Sequence, residues 1–370
     1  MIKSKNLIKV FTKNKIDFFS GVPDSVLKNF LFNLKNLSFK KHIVAVNEGS
    51  AVGIAIGYFL AKKKRACVYM QNSGLGNAIN PLISIAHSKV YDIPMVLLIG
   101  WRGSPKSKDE PQHMIKGKIT LKLLDLLNIK HLIVRKNSDL KRLDKFIKNN
   151  KTKTVACLVE NNKFQSLSKN QNKKAINSNK IKFIEREFFL EKFLKLIKGK
   201  FKIISSTGYT SRAIMKIRKK NNYKHGKDFY LVGGMGHTSS VAIGHVLQST
   251  EKLFCIDGDG SMLMHMGSLF TSGYLKKNNF KYILLNNFSH DSVGGQKTYS
   301  ENLDTKLLSK SLGFKNFFLI DHEKKLIKNL KNFVTSKSCS FLEVRTFSPN
   351  NKNLPRPKSL LEIKKNFLNK

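Results

Sequence analysis

Two polar clusters stand where apolar runs end in the second half of the chain: GDGS at Gly258–Ser261, after KLFCID, and NN at Asn286–Asn287, after KYILL. If both runs are neighbouring parallel strands, Asp259 and Asn287 emerge at the same sheet edge, the C-terminal one, where open α/β sheets bind ligands. A carboxylate and an amide oxygen beside a helix N-terminus form a sparse oxygen set. Mg²⁺ accepts such a set when phosphate oxygens and water complete its shell. Gly258 and Gly260 allow close backbone approach. Ser261 to Lys276 reads as one crossover helix whose first amides face an anion. The chemistry this spacing suits is a diphosphate held through Mg²⁺. A Walker P-loop is excluded because no Gly-Lys-Ser/Thr follows, and a dinucleotide fingerprint because its third glycine is missing.

Positioning such a site requires parallel sheets, and the chain supplies the strands for two. DFFSGV, HIVAVN, RACVYMQ, PMVLLIGW, HLIVRK and TVACLVEN alternate with helical patterns in the first half; KIISST, FYLVGG, KLFCIDGD, KYILLNN, FFLI and CSFLEV follow in the second. Buried strands alternating with helices predict an α/β protein of two related, doubly wound parallel-sheet domains. The polar, Asn- and Lys-rich stretch between them is the expected linker. The boundaries are then 1–162 for the first domain, 163–182 for the linker and 183–370 for the second, with no central domain.

The 370 residues are 41% apolar, enough to fill two cores. No apolar run approaches the ~18 residues of a membrane span, and MIKSKNLIKVFTKNK has no secretory h-region, so a cytoplasmic protein is expected. Cys67, Cys157, Cys255 and Cys339 each lie inside an apolar run without CxxC spacing and read as reduced core residues. The net charge of +44 comes mostly from Lys spread along the whole chain together with abundant Asn, Ile and Phe. That distribution reads as a compositional bias and predicts neither a nucleic-acid nor a membrane partner. A positive field would still steer a small polyanion.

GDGS followed by NN resembles the thiamine diphosphate-dependent enzymes. The resemblance implies thiamine diphosphate and Mg²⁺ as cofactors, with Asp259, Asn287 and the main-chain carbonyl of Ser289 on the metal. It extends to VNEGSAVGIAIGYFLA, where Glu48 precedes Gly49, Gly53 and Gly57, glycines four apart that form one smooth helix face. In the family that face packs across a dimer, and the glutamate shares a proton with the cofactor's aminopyrimidine ring. A carboxyl in an apolar pocket, its pKa raised, suits the task. LVGGMG resembles the strip that bends the cofactor, with the Gly233 carbonyl on its exocyclic amine and Met235 as the apolar wedge. SSTGYTS resembles a diphosphate turn and implies Thr207 and Gly208, alongside Gly258, Gly260 and Ser261, as cofactor contacts.

GVPDSVL, VYMQNSGLGNAINPL, IGWRGSPKSKDEPQHMIKG, GGMGHTSS and NNFSHDSVGGQKT resemble the compact branch of these decarboxylases, which acts on phosphono- and sulfopyruvates. DEPQH favours the phosphonate chemistry, a lyase step of phosphonate biosynthesis, with the sulfonate as the alternative. The resemblance implies Asp24 as an acidic proton relay, a role compatible with capping a helix at Ser25. Trp101 to Lys118 reads as a lid, in which Arg102 clamps the substrate anion bidentately and His113 adds a hydrogen bond or proton. His290, next to the metal ligands, is a further catalytic candidate, and Asn72 and Ser73 are candidate substrate contacts. A homodimer or higher homo-oligomer with sites at the subunit interface is implied. A non-catalytic basic binding protein on the same scaffold is the remote alternative. A carboligase would carry the central domain absent here.

Overall fold

Every pairing between strands of the two sheets is parallel. The computed structural model describes residues 1–105, 107–165, 183–223, 227–347, 354–357 and 359–368. It divides into two compact units, Met1–Ile176 with His290–Gln296, and Asn177–Ser289 with Lys297–Lys370. The expected linker falls mostly outside the described residues. Its first residues are tied to the chain start, where the Ile2 amide donates to the Lys163 carbonyl (2.7 Å) and the Gln165 amide to the Ile2 carbonyl (2.9 Å).

The first unit holds β1 (Phe19–Gly21), β2 (His42–Val44), β3 (Cys67–Gln71), β4 (Val96–Trp101), β5 (Lys130–Val134) and β6 (Val155–Glu160), in the order β2-β1-β3-β4-β6-β5. Their apolar runs are continuous because both faces are covered. Val68, Met70, Leu97 and Ile99 pack with Ala51, Val52 and Ala55 of the helix Glu48–Lys62. Tyr69, Val96 and Leu98 pack on the opposite face with Leu7 and Phe11 of the helix Ser4–Lys13. The chain leaves β1 toward β2 and returns to β3 on β1's other side, so the sheet has a switch point between β1 and β3.

The second unit holds β7 (Ile184–Glu185), β8 (Phe201–Ser205), β9 (Asp228–Tyr230), β10 (Lys252–Gly258), β11 (Phe280–Asn286), β12 (Asn316–Ile320) and β13 (Ser340–Phe347). The order is β12-β13-β11-β10-β8-β9, with β7 paired to the end of β13, and the switch point lies between β8 and β10. Phe254, Ile256 and Ile283 face one core, Leu253, Cys255 and Leu284 the other. All four cysteines are free and buried.

Two expectations need correction. β7 was not anticipated, since two residues carry no periodicity. The single helix from Ser261 to Lys276 is two helices, Asp259–Met264 and Gly267–Tyr274, and the first starts at Asp259 itself. Gly267 weakens helical continuity at the break. The break turns the His265 ring onto His237, with ring centroids 4.6 Å apart.

Two buried cations fix the ends of this unit. Arg218 holds the carboxylate of Asp228, with one bond of 2.7 Å, and Tyr230 donates to the same group at 2.7 Å. The pair locks the helix Tyr209–Lys220 to β9 and so fixes the direction of its N-terminus. Lys202, on β8, donates to the carbonyl of Phe367 at 2.6 Å and lies over that ring, docking the last helix, Leu360–Leu368, near the edge strand β9.

Candidate active site

In the second unit the C-terminal ends of β10 and β11 bring Asp259 and Asn287 to one edge, as their spacing predicts, and the end of β8 brings Thr207 and Gly208 to the same edge. Gly208 caps the helix Tyr209–Lys220 with φ +87° and ψ −140°, a backbone region that only glycine enters freely. The helix amides beyond it present partial positive charge to an anion. Asp259 is 2% exposed. Its Oδ2 accepts from the hydroxyls of Thr298 and Ser300, the latter at 3.0 Å, and Ser300 also reaches Asn286 Oδ1 at 2.9 Å. Burial pushes the Asp259 carboxyl upward and the two hydroxyls pull it back. No lysine or arginine among the described residues pairs with it. A buried carboxylate in that state fits a cation, which would restore its ionised form. Asn287 Oδ1 accepts from the Ser289 amide at 3.3 Å, a turn that brings the Ser289 backbone beside the amide oxygen.

Ser261 Oγ accepts from the Gly236 amide at 3.0 Å and so ties the GDGS helix to the Leu231–Gly236 strip that carries Gly233 and Met235. Asp257, one turn of pleat before Asp259, is a brace of the same region. Its carboxylate accepts from Thr238 Oγ (3.3 Å), Tyr282 OH (3.2 Å) and the Gly258 amide (3.0 Å), and burial pushes it up to about 6. Asn286 donates to Glu343 on β13 at 2.9 Å. Thr298 and Ser300, from the irregular stretch after β11, and Asp257 and Glu343, from β10 and β13, escape a reading of motifs because only the folded chain brings them to the site. His290, on the turn where its carbonyl accepts from the amides of Val293, Gly294 and Gly295, has its imidazole driven to about 4 by desolvation and is neutral at pH 7.

In the first unit Asp24 follows β1, Glu48 follows β2, Asn72 and Ser73 follow β3, and Arg102 follows β4, all at the C-terminal edge around the switch point. Asn47 caps the helix Glu48–Lys62 by accepting from the Ser50 amide at 2.8 Å, which sets Glu48 at its first position. The Glu48 carboxyl is 5% exposed, accepts from Asn77 Nδ2 at 2.8 Å, and is held above its usual pKa by burial. It lies on the peptide of Gly74: a β-carbon there would be 2.0 Å from Oε1. Asp24 is buried; Oδ2 accepts from the Leu27 amide at 3.1 Å and Oδ1 has no partner among the described residues. The helix expected at Ser25 starts at Lys28, so Asp24 caps the turn that leads into it. Desolvation raises its pKa to about 6, against smaller lowerings from the Val26 and Leu27 amides and then from Arg102.

The described residues of the Trp101–Lys118 stretch include a turn after Trp101 and the start of a helix, Pro111–Leu126, tied back to the strand end where Trp101 Nε1 donates to the Gly117 carbonyl at 3.0 Å. Arg102 forms a two-pronged ion pair with Asp109 inside this stretch, one prong at 2.9 Å. Its guanidinium is therefore engaged within the loop instead of open to a substrate. Asn72 brackets the Arg102 backbone, donating to its carbonyl at 3.0 Å and accepting from its amide at 3.1 Å, and also donates to Thr120 Oγ at 2.9 Å. All its side-chain groups serve the loop. Ser73 Oγ accepts from Gln71 at 2.6 Å and keeps its own proton to donate. His113 is held down at about 4 by burial, then by Arg102, and its Nδ1 is buried without a partner among the described residues.

Two family models cover these two edges. Residues 3–123 match the thiamine pyrophosphate enzyme, N-terminal TPP binding domain, and residues 205–344 the C-terminal TPP binding domain. The beta subunit of sulfopyruvate decarboxylase from Methanococcus maripaludis is 32% identical over 168 residues, 87% of that subunit and 45% of this chain. The chain belongs to the thiamine pyrophosphate enzymes. Phosphonopyruvate decarboxylase of Streptomyces viridochromogenes is 29% identical over 338 residues, covering 85% of this chain and 81% of that one. Sulfopyruvate decarboxylase of Methanosarcina acetivorans is 24% identical over 384 residues, covering 98% and 96%. Within the thiamine pyrophosphate enzymes this places the chain in the 2-oxo acid decarboxylase family, built from the two cofactor-binding domains without a middle one. No helix among the described residues is long and apolar enough to cross a membrane.

Proposed function

We propose that this protein decarboxylates 3-phosphonopyruvate to phosphonoacetaldehyde and CO₂, using thiamine diphosphate and Mg²⁺. The observation that carries the reading is Glu48, a buried carboxyl of raised pKa held by Asn77 on the Gly74 peptide, in the chain whose other unit presents a cation-seeking Asp259 beside Asn287. Asp259, Asn287 and the Ser289 carbonyl hold Mg²⁺. Thr207, Gly208, Gly258, Gly260 and Ser261 bind the diphosphate, and Gly233 and Met235 seat the aminopyrimidine. Thiamine diphosphate, when bound, supplies the sink for the electron pair left when the C1–C2 bond breaks.

The protein's own task is to bind a polyanion, exclude water and move protons. Glu48 would hold a proton at the aminopyrimidine nitrogen of the bound cofactor, and burial, which raises its pKa, favours the protonated carboxyl that this needs. Asp24, at about 6, holds both protonation states in the working range and has Oδ1 uncommitted, so it returns a proton to the carbon that loses CO₂. His290 and His113, neutral at pH 7, act as N–H donors or acceptors instead of as charged acids. Gly53 and Gly57 leave open space over the Glu48 helix, which supports a homodimer packed on that face. The sulfonate is the second reading, favoured by the sulfopyruvate relatives.

The test is CO₂ release by the purified protein with thiamine diphosphate and Mg²⁺, comparing phosphonopyruvate, sulfopyruvate and pyruvate, with Glu48→Gln beside it. Preference for phosphonopyruvate that Glu48→Gln abolishes is expected. Preference for sulfopyruvate would replace the substrate, and no release from any of the three would overturn the function.

A further inference from the structure

A cation that recognises the substrate's retained anionic group must be near Glu48 and must not be spent elsewhere. Arg102 is already paired, since Asp109 takes two of its five N–H donors and balances its charge. Lys116, on the helix Pro111–Leu126, is placed differently. Its ammonium makes one hydrogen bond among the described residues, a long one of 3.4 Å to the carbonyl of Ser73, and so keeps donors in reserve. Ser73 precedes Gly74, the residue against which the Glu48 carboxyl lies. Carboxyl and ammonium thus converge on the Ser73–Gly74 peptide at the end of β3. The electrostatics agree: Lys116 lowers Glu48 against the larger effect of burial and also lowers His113.

The support under Lys116 is rigid. Thr120 Oγ donates to the Lys116 carbonyl at 2.6 Å and accepts from Asn72, whose amide also brackets the Arg102 backbone. Loop, helix and β3 end are one hydrogen-bonded piece, so the backbone that carries Lys116 is held at the edge.

We infer that Lys116 is the specificity-determining cation that binds the tetrahedral oxyanion at the far end of the substrate, an inference that rests on the decarboxylase reading above. The substrate carries two anionic ends with opposite fates. The carboxylate leaves as neutral CO₂, so a cation bound to it would stabilise the ground state more than the transition state and slow the reaction. The phosphonate or sulfonate keeps its charge throughout, and a cation there contributes binding without opposing the chemistry. Lys116 is a compact point charge suited to such a group.

The experiment pairs calorimetric titration with kinetics on the cofactor-loaded protein, for wild type, Lys116→Met and Lys116→Arg. The inert probe is 3-phosphonopropionate, with butyrate as its neutral-tailed counterpart. Losing a charge-assisted bond should weaken 3-phosphonopropionate roughly 10–100-fold in Lys116→Met and far less in Lys116→Arg. The KM for the oxyanion substrate should rise by a similar factor while kcat changes little, and its preference over pyruvate should collapse by the same ratio. Unchanged probe affinity in Lys116→Met, failure of wild type to bind the probe, or an equal loss for butyrate and pyruvate would overturn the assignment; the last would make Lys116 a positioning partner of Glu48. Because probe binding is read without turnover, a wild type that binds the probe yet releases no CO₂ would refute the decarboxylase reading while leaving Lys116 as an anion site.

Discussion

Glu48 and Gly74 are in such close register that a β-carbon on Gly74 would fall 2.0 Å from the carboxylate Oε1. The glutamate is placed by its helix cap, and the turn after β3 is shaped to receive it. Gly74→Ala must therefore displace the carboxyl. Activity is expected to fall on the order of 100-fold, the scale of a 1 Å misplacement. Steady-state decarboxylation measured beside circular dichroism checks this, since the loss should appear in a folded protein.

Asp24 predicts an acid-favoured term in stability. Its pKa is about 6 in the folded chain against an ordinary 3.8, so the folded state binds the proton more tightly. Stability from this group falls as pH rises from 3.8 to 6 and stays at its low plateau above. Asp24→Asn removes the penalty. It should gain up to roughly 3 kcal/mol at pH 8, with the gain vanishing below pH 4. Denaturant titrations at both pH values measure it, and the same variant should lose turnover if Asp24 returns the proton.

Thr298 and Ser300 orient Asp259 through its Oδ2. Removing either hydroxyl by Thr298→Ala or Ser300→Ala should weaken Mg²⁺ binding about 10–100-fold, the usual effect of losing a partner of a metal ligand. The Mg²⁺ concentration needed for half-maximal cofactor binding reports it directly. An unchanged value would place the metal elsewhere.

Mixing two inactive proteins tests the homodimer. If Glu48 of one chain serves cofactor held by its partner, Glu48→Gln and Asp259→Asn, unfolded and refolded together, should recover about a quarter of wild-type activity, because mixed dimers regain one intact site. If both residues act within one chain, the mixture stays inactive.

Much of this was legible in the sequence, and the exceptions have a common cause. Asp259, Asn287 and Glu48 stand at the ends of apolar runs, and parallel strands deliver such residues to one edge. Thr298 and Ser300 lie in an irregular stretch after β11, where no period announces a contact with Asp259. The helix break at His265, which stacks that ring on His237, has only Gly267 to announce it. Arg102 looked available to a substrate because the fold of its own loop, which brings Asp109 back to it, leaves no trace in spacing. Lys116 was one lysine among many until the helix set it over Ser73.

The contact between Lys202 and the carbonyl of Phe367 also bears on how the protein is made. Lys202 stands near the start of the second sheet, and its buried ammonium gains that acceptor from the helix Leu360–Leu368, more than 150 residues later. On the ribosome, the first sheet can close while the second is still being translated. The second must wait until Phe367 has been made, with the lysine lacking that acceptor until then. Truncations or insertions that unseat Phe367 should therefore damage the second unit more than their distance from Asp259 suggests.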